Sequence, residues 1–136
     1  MNTFVRWWRF NLVGVAGLVF QLAALALFNR LAAGHYLYAS AAAIELTLLH
    51  NFVGHLHFTW RDRRDYSSLL AQLTRFHLSN GSVSMLGNLA IMRILVHHAR
   101  LPVLASNCAA ILCCSTLNYV LANQWVFLEN GSAVQG

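Results

Sequence analysis

Glu45 is the one acidic residue set inside an apolar run; Asp62, Asp65 and Glu129 all lie outside such runs. A carboxylate surrounded by hydrocarbon must be neutral, paired or turned to water. Left charged and alone it costs several kcal/mol, roughly 2.5–3.5 on insertion scales. Two kinds of chemistry suit it. As a proton acceptor it would couple or bind a substrate; as half of an ion pair it would fix helix packing. Arg93 is the partner that the second reading requires. At 1.5 Å per residue, Glu45 and Arg93 sit about 13 Å and about 6 Å from the same end of their segments, and an arginine stem reaches several ångströms.

Asn80, Ser84 and Asn88 fall at i, i+4 and i+8, on one helix face. Such a face lines a polar path for a sugar, or glues helices together at about 0.6–2 kcal/mol per hydrogen bond. Arg9 and Arg75 each precede a phenylalanine at the start of an apolar segment. The bidentate fork of an arginine suits a lipid phosphate, and the same residues also serve as topogenic anchors. Asn51 and Asn118 occupy matching places and need partners in an apolar medium, from another helix or from a ligand. His50, His55 and His57 have no acid or cysteine beside them at matching depth, so they read as interfacial histidines and not as metal ligands. Glu45 and His50 are five residues apart and so lie on different faces. Cys108, Cys113 and Cys114 share one apolar run and are odd in number, which argues for small apolar fillers over a disulfide framework or zinc. No nucleophile–base pair stands at a useful spacing, which disfavours an enzyme, and no cofactor is expected.

Helices in lipid are what would position these groups. The chain has 136 residues, 58% of them hydrophobic and 10% charged, where a soluble domain carries about a quarter charged. Its mean hydropathy is +0.54. The net charge is +5 and every cation is arginine. These arginines fall between apolar segments and form no stripe on a soluble module, so they address a membrane surface and not a nucleic acid. The first apolar run continues to Phe28 without a cleavage-type pattern, which reads as a spanning helix rather than a signal peptide.

Four spanning helices are predicted, at about 9–31, 36–60, 76–97 and 103–127. A cytoplasmic loop over 61–75 carries a short amphipathic helix from Leu69 to Arg75, and a disordered tail occupies 129–136. Arg6, Arg9, Arg61, Arg63, Arg64 and Arg75 collect on one side; Arg30, Arg93 and Arg100 on the other. The positive-inside rule puts both termini and the middle loop in the cytoplasm. Trp7, Trp8, Trp60 and Trp125 fall at cytoplasmic boundaries and Tyr36 and Tyr38 at an external one, as an aromatic belt requires.

The halves repeat. Arg9-Phe10 answers Arg75-Phe76; Ala39-Ser40 answers Ala105-Ser106. After a one-residue insertion, Asn51-Phe52 answers Asn118-Tyr119, and Phe58-Thr59-Trp60 answers Trp125-Val126-Phe127. A unit that crosses twice returns to its own side, so the expected fold is an all-α polytopic membrane protein of two parallel two-helix repeats. This order of landmarks, occurring twice from Arg9 to Phe127, resembles the GtrA-like family of small bacterial membrane proteins. The family usually has a basic residue five positions after each motif asparagine; here those positions hold Leu56 and Asn123, with His55 and His57 nearby. The first terminal aromatic pair is altered to Phe58 and Trp60.

The resemblance implies a flippase, or translocation partner, that moves polyprenyl-phosphate-linked sugar across the bacterial cytoplasmic (inner) membrane for surface polysaccharide or lipid glycosylation. It also likens the chain to small multidrug-resistance transporters, which work as dimers. Two alternatives stand beside it: a non-transport scaffold for a membrane glycosyltransferase, and efflux of small cations, for which Glu45 argues. Four helices barely enclose a sugar-phosphate, so a homodimer is expected. No nucleotide-binding motif is visible, which leaves the substrate gradient or protons as the drive.

Overall fold

The computed structural model describes residues 1–33, 36–63 and 68–127, with their side chains except at 36, 37, 103 and 104. The tail expected over 129–136 lies outside the described residues. The chain is helical, with no strand among the described residues. Helix α1 spans Thr3–Leu31. Helix α2 spans Tyr36–Gly54 and runs on as a π-helical turn, His55–Thr59. A 3₁₀ turn follows at Arg61–Arg63. Helix α3, Leu69–Ser82, passes through a π turn at Val83–Gly87 into α4, Asn88–Arg93, and a second π turn at Ile94–His98. Helix α5 spans Val103–Leu121 and also ends in a π turn, Ala122–Val126. Four continuous helical segments result. Two of them, Thr3–Leu31 and Ala105–Val126, are long and apolar enough to cross a membrane. The others are the ones that carry Glu45 and the histidines, or Arg75, Arg93 and the serines and asparagines.

Two boundaries differ from the sequence expectation. Helix α1 starts at Thr3 and not at Arg9, because the side chain of Asn2 caps it by accepting from Phe4 N at 3.0 Å; Asn is among the best N-caps. Residues 69–75 are not a separate surface helix within a loop. They form the first turns of α3, since nothing between Leu69 and Ser82 breaks a helix and one continuous rod needs no extra pair of caps.

The described chain divides into two compact units, Met1–Arg64 and Asp65–Gly136. In the first, α1 and α2 pack antiparallel. Phe10 stacks on His55 and Phe20 on His50, both at 4.5 Å, so rising numbers on α1 meet falling numbers on α2. Close approach is set at Gly17, where an added Cβ would lie 2.0 Å from Asn51 Oδ1, and at Gly54, where it would lie 2.9 Å from Val13. In the second unit, α3 and α4 pack on α5 the same way: Arg75 meets Trp125, and Ser84 meets Asn118. The turns after the outgoing helices each hold a non-glycine residue in the left-handed region, Ala33 at φ 47° and Arg100 at φ 52°. Pro102 then stops any continuation. Hydroxyls along the helices hide by donating four residues back, Thr47 to Ala43 O at 2.7 Å and Thr116 to Leu112 O at 2.9 Å, which satisfies them where water is absent.

Candidate functional site

At the end of the first unit, Arg9 leaves α1 and reaches the last turn of the returning helix. Its Nη1 donates to Phe58 O at 3.3 Å, and its guanidinium carbon lies 4.9 Å from the centre of the Phe58 ring. The π turn explains the acceptor. Trp60 N bonds back five residues to His55 O at 2.8 Å, which leaves Phe58 O among the carbonyls that a helix end cannot satisfy internally. A cation there also offsets the negative end of the helix dipole. Behind it, Trp60 is fully buried and stands edge-on to both Phe10, at 5.9 Å, and His55, at 5.4 Å. His55 Nδ1 is 3.1 Å from Thr59 Oγ1.

The second unit builds the same corner. Arg75 Nη1 donates to Trp125 O at 3.3 Å, and its guanidinium lies 6.0 Å from the Trp125 ring. Phe127 N bonds back five residues to Ala122 O at 2.8 Å. Phe76 is 1% exposed and Phe127 fully buried, matching the buried Phe10 and Trp60. Each arginine gives one of its five N–H donors to this carbonyl. An open groove of about 630 Å³ lies beside Arg75, lined also by Ser68, Leu70, Ala71 and Thr74. No acid lines it.

The corners differ one turn further out. Arg6, 6% exposed, donates to Asp62 Oδ2 at 2.7 Å. The offset from Arg9 to Arg75 is 75 − 9 = 66, and 66 places after Arg6 stands Gln72, also buried. Gln72 donates to Ser68 Oγ at 3.4 Å. Asp62 lies outside the spanning segments. Partial burial raises its carboxyl pKa, but its backbone hydrogen bond and the charge and hydrogen bond of Arg6 outweigh that and hold it below the usual carboxylate value. The Arg6–Asp62 pair is the functional-looking contact that sequence reading missed. Its signal was available: a second arginine one turn before Arg9, and an acid just after Trp60.

The other expected site residues fall as follows. Asn118 Nδ2 donates to Ser84 Oγ at 3.2 Å, joining α5 to the π turn after α3. Asn51 Oδ1 is 3.3 Å from His50 Nδ1 and packs on the bare backbone of Gly17. Asn80 is half-buried in α3, and Asn88 opens α4. Glu45 belongs to the first unit and is exposed on α2; Arg93 belongs to the second and is exposed at the end of α4. Cys108 and Cys113 are exposed and Cys114 is buried. Among the described residues no three His, Cys, Asp or Glu side chains gather as a metal site would need.

No curated protein matches the sequence significantly. The family model described as the GtrA/DPMS transmembrane domain matches residues 9–127, from the arginine of the first corner to the last aromatic of the second. With most of its length matched and two helices fit to span, the chain is a membrane protein and belongs to the GtrA/DPMS transmembrane-domain family.

Proposed function

We propose that the protein translocates polyprenyl-phosphate-linked sugar between leaflets, alone or as the partner of the machinery that does so. In this reading it crosses the inner membrane four times as two parallel repeats, with both termini cytoplasmic, and pairs as a homodimer. The observation that carries the proposal is the duplicated corner. Arg9 on Phe58 and Arg75 on Trp125 hold guanidinium groups at the ends of apolar hairpins, where lipid phosphates lie. Each is fixed by an aromatic face and a carbonyl, so little side-chain entropy remains to be lost on binding. The prenyl tail would stay in lipid while the headgroup moves along the polar side chains of α3, α4 and α5: Asn80, Ser84, Asn88 and Asn118. Glu45, exposed on α2, would then be the place where protons couple.

The scaffold reading draws on one feature. The outer face of α1 is a ridge of exposed side chains, Val15, Leu18, Val19 and Leu22, on which a helix of a membrane glycosyltransferase would pack as readily as lipid. Reconstitution separates the two. Purified protein in vesicles loaded with a polyprenyl-phosphate sugar should speed its appearance in the opposite leaflet, and Glu45→Gln should slow it if protons drive it. No acceleration over protein-free vesicles, together with co-purification of a glycosyltransferase, would favour the scaffold.

A further inference from the structure

The two units share their corners but not their interiors. Helix α1 is an unbroken α-helix from Thr3 to Leu31, whereas the segment from Leu69 to His98 is interrupted by π turns at Val83–Gly87 and Ile94–His98. The first interruption contains Ser84 and is followed directly by Asn88. Counting back by the same offset of 66, these positions are Leu18 and Leu22 in α1. So the outgoing segment that departs from a regular helix is also the one that carries polar side chains there.

Those side chains are under-satisfied. Asn118 is 8% exposed. It donates to Ser84 Oγ, but its own Oδ1 is buried with no donor among the described residues, and so is Asn88 Oδ1. Buried acceptors without a donor are rare in folded proteins, because each forfeits its hydration for nothing. The contact register puts them in one seam. Ser84 faces Asn118, while Gly87, whose Cβ would lie 3.2 Å from Cys114 Sγ, faces one turn earlier on α5. Asn88 therefore stands about one turn, roughly 5.4 Å, along the seam from the Ser84–Asn118 bond. Two amide oxygens and a hydroxyl at that spacing suit hydroxyl groups on opposite sides of a single sugar ring. They do not suit a phosphate, which would repel both acceptors. The π turn supplies a place where the helix yields, as such turns do at many ligand sites.

We infer that the seam between the Val83–Gly87 π turn and α5 is a sugar-hydroxyl site, with Asn88 Oδ1 and Asn118 Oδ1 as acceptors. The second unit then reads the sugar; the first keeps an asparagine, Asn51, at the place of Asn118 but has leucines, Leu18 and Leu22, where Ser84 and Asn88 stand. This rests on the translocation reading above and goes beyond it by dividing labour between the units.

The test is titration calorimetry of the full chain in nanodiscs. The probes are bare polyprenyl phosphate and the same lipid carrying glucose, mannose or arabinose in turn. Wild-type protein should bind at least one sugar-bearing lipid about ten-fold more tightly than the bare one, the worth of one good hydrogen-bonding pair. Asn88→Leu and Asn118→Leu should each erase most of that difference, read as the ratio of sugar-bearing to bare-lipid affinity within each variant. Asn88→Leu removes an unmade bond without removing a made one, so its melting temperature should hold or rise; it is the variant that stays informative if Asn118→Leu folds poorly. A sugar preference that survives both substitutions, or a wild type that binds all four lipids equally, overturns the inference and leaves the translocation reading standing. A wild type that binds none of them overturns both.

Discussion

Arg9 and Arg75 are each held by a backbone carbonyl and an aromatic ring of the returning helix. Their partners, Phe58 O and Trp125 O, are backbone atoms freed by π turns, and a sequence spells no backbone acceptor. The geometry now makes a sharper demand than charge alone. Lysine keeps the charge but loses the planar fork and the stacking on the ring. Arg9→Lys and Arg75→Lys should each weaken binding of polyprenyl phosphate about five-fold, one charge-assisted bond's worth. The glutamine variants should weaken it further. Titration in nanodiscs measures both, and full retention by the lysine variants would mean that these side chains only anchor the helices. Asp62 gives a pH prediction with a definite sign. Its carboxyl pKa is lowered in the folded protein, so its contribution to stability is complete above the unfolded value near 3.9 and fades as pH falls through the lower folded value. Asp62→Asn should cost about 1 kcal/mol at neutral pH, the upper range for a part-exposed pair. The gap between variant and wild type should close in strong acid. Melting of both proteins across that range, in a detergent that tolerates it, checks the sign.

Among helices, hydrophobic runs gave the four segments, since apolar length is a property of residues counted one at a time. The join at Leu69 was misread because amphipathic and spanning helices meet there without a break, and only backbone continuity distinguishes one rod from two. The close approach of α1 to α2 was equally silent: glycines recur in spanning helices for several reasons, and the sequence does not say which one faces a neighbour. Gly17 and Gly14 make a matched pair for testing it. At Gly17 an added Cβ would lie 2.0 Å from Asn51 Oδ1, while at Gly14 it would meet nothing within 4 Å. Gly17→Ala should therefore destabilise by about 1–3 kcal/mol through overpacking. It should also displace Asn51 from His50. Gly14→Ala should be neutral or gain up to about 1 kcal/mol from helix propensity. Equal melting temperatures for the two variants would show that Asn51 is not held against α1.

For the whole molecule, orientation follows from where charge and length place the ends of α1. The helix has 29 residues, so it is about 43 Å long and exceeds a hydrocarbon core of about 30 Å. The surplus lies at the N-terminal side, where Arg6, Trp7, Trp8 and Arg9 belong in a headgroup layer. Arg6 is tied to Asp62 there, and Arg9 to Phe58, so the start of α1 and the end of the α2 segment share a side. In the orientation proposed above, that arginine-bearing end is the cytoplasmic one. The three native cysteines all lie within α5, and replacing them with alanine leaves single introduced thiols as clean reporters. Ser68→Cys should react with a membrane-impermeant maleimide in inside-out vesicles only. Ala33→Cys and Leu101→Cys should react in right-side-out vesicles only. Labelling of all three from one side would reduce the crossings to fewer than four. Labelling of Ser68→Cys from outside alone would invert the protein and, with it, the leaflet from which Arg9 and Arg75 receive their phosphate.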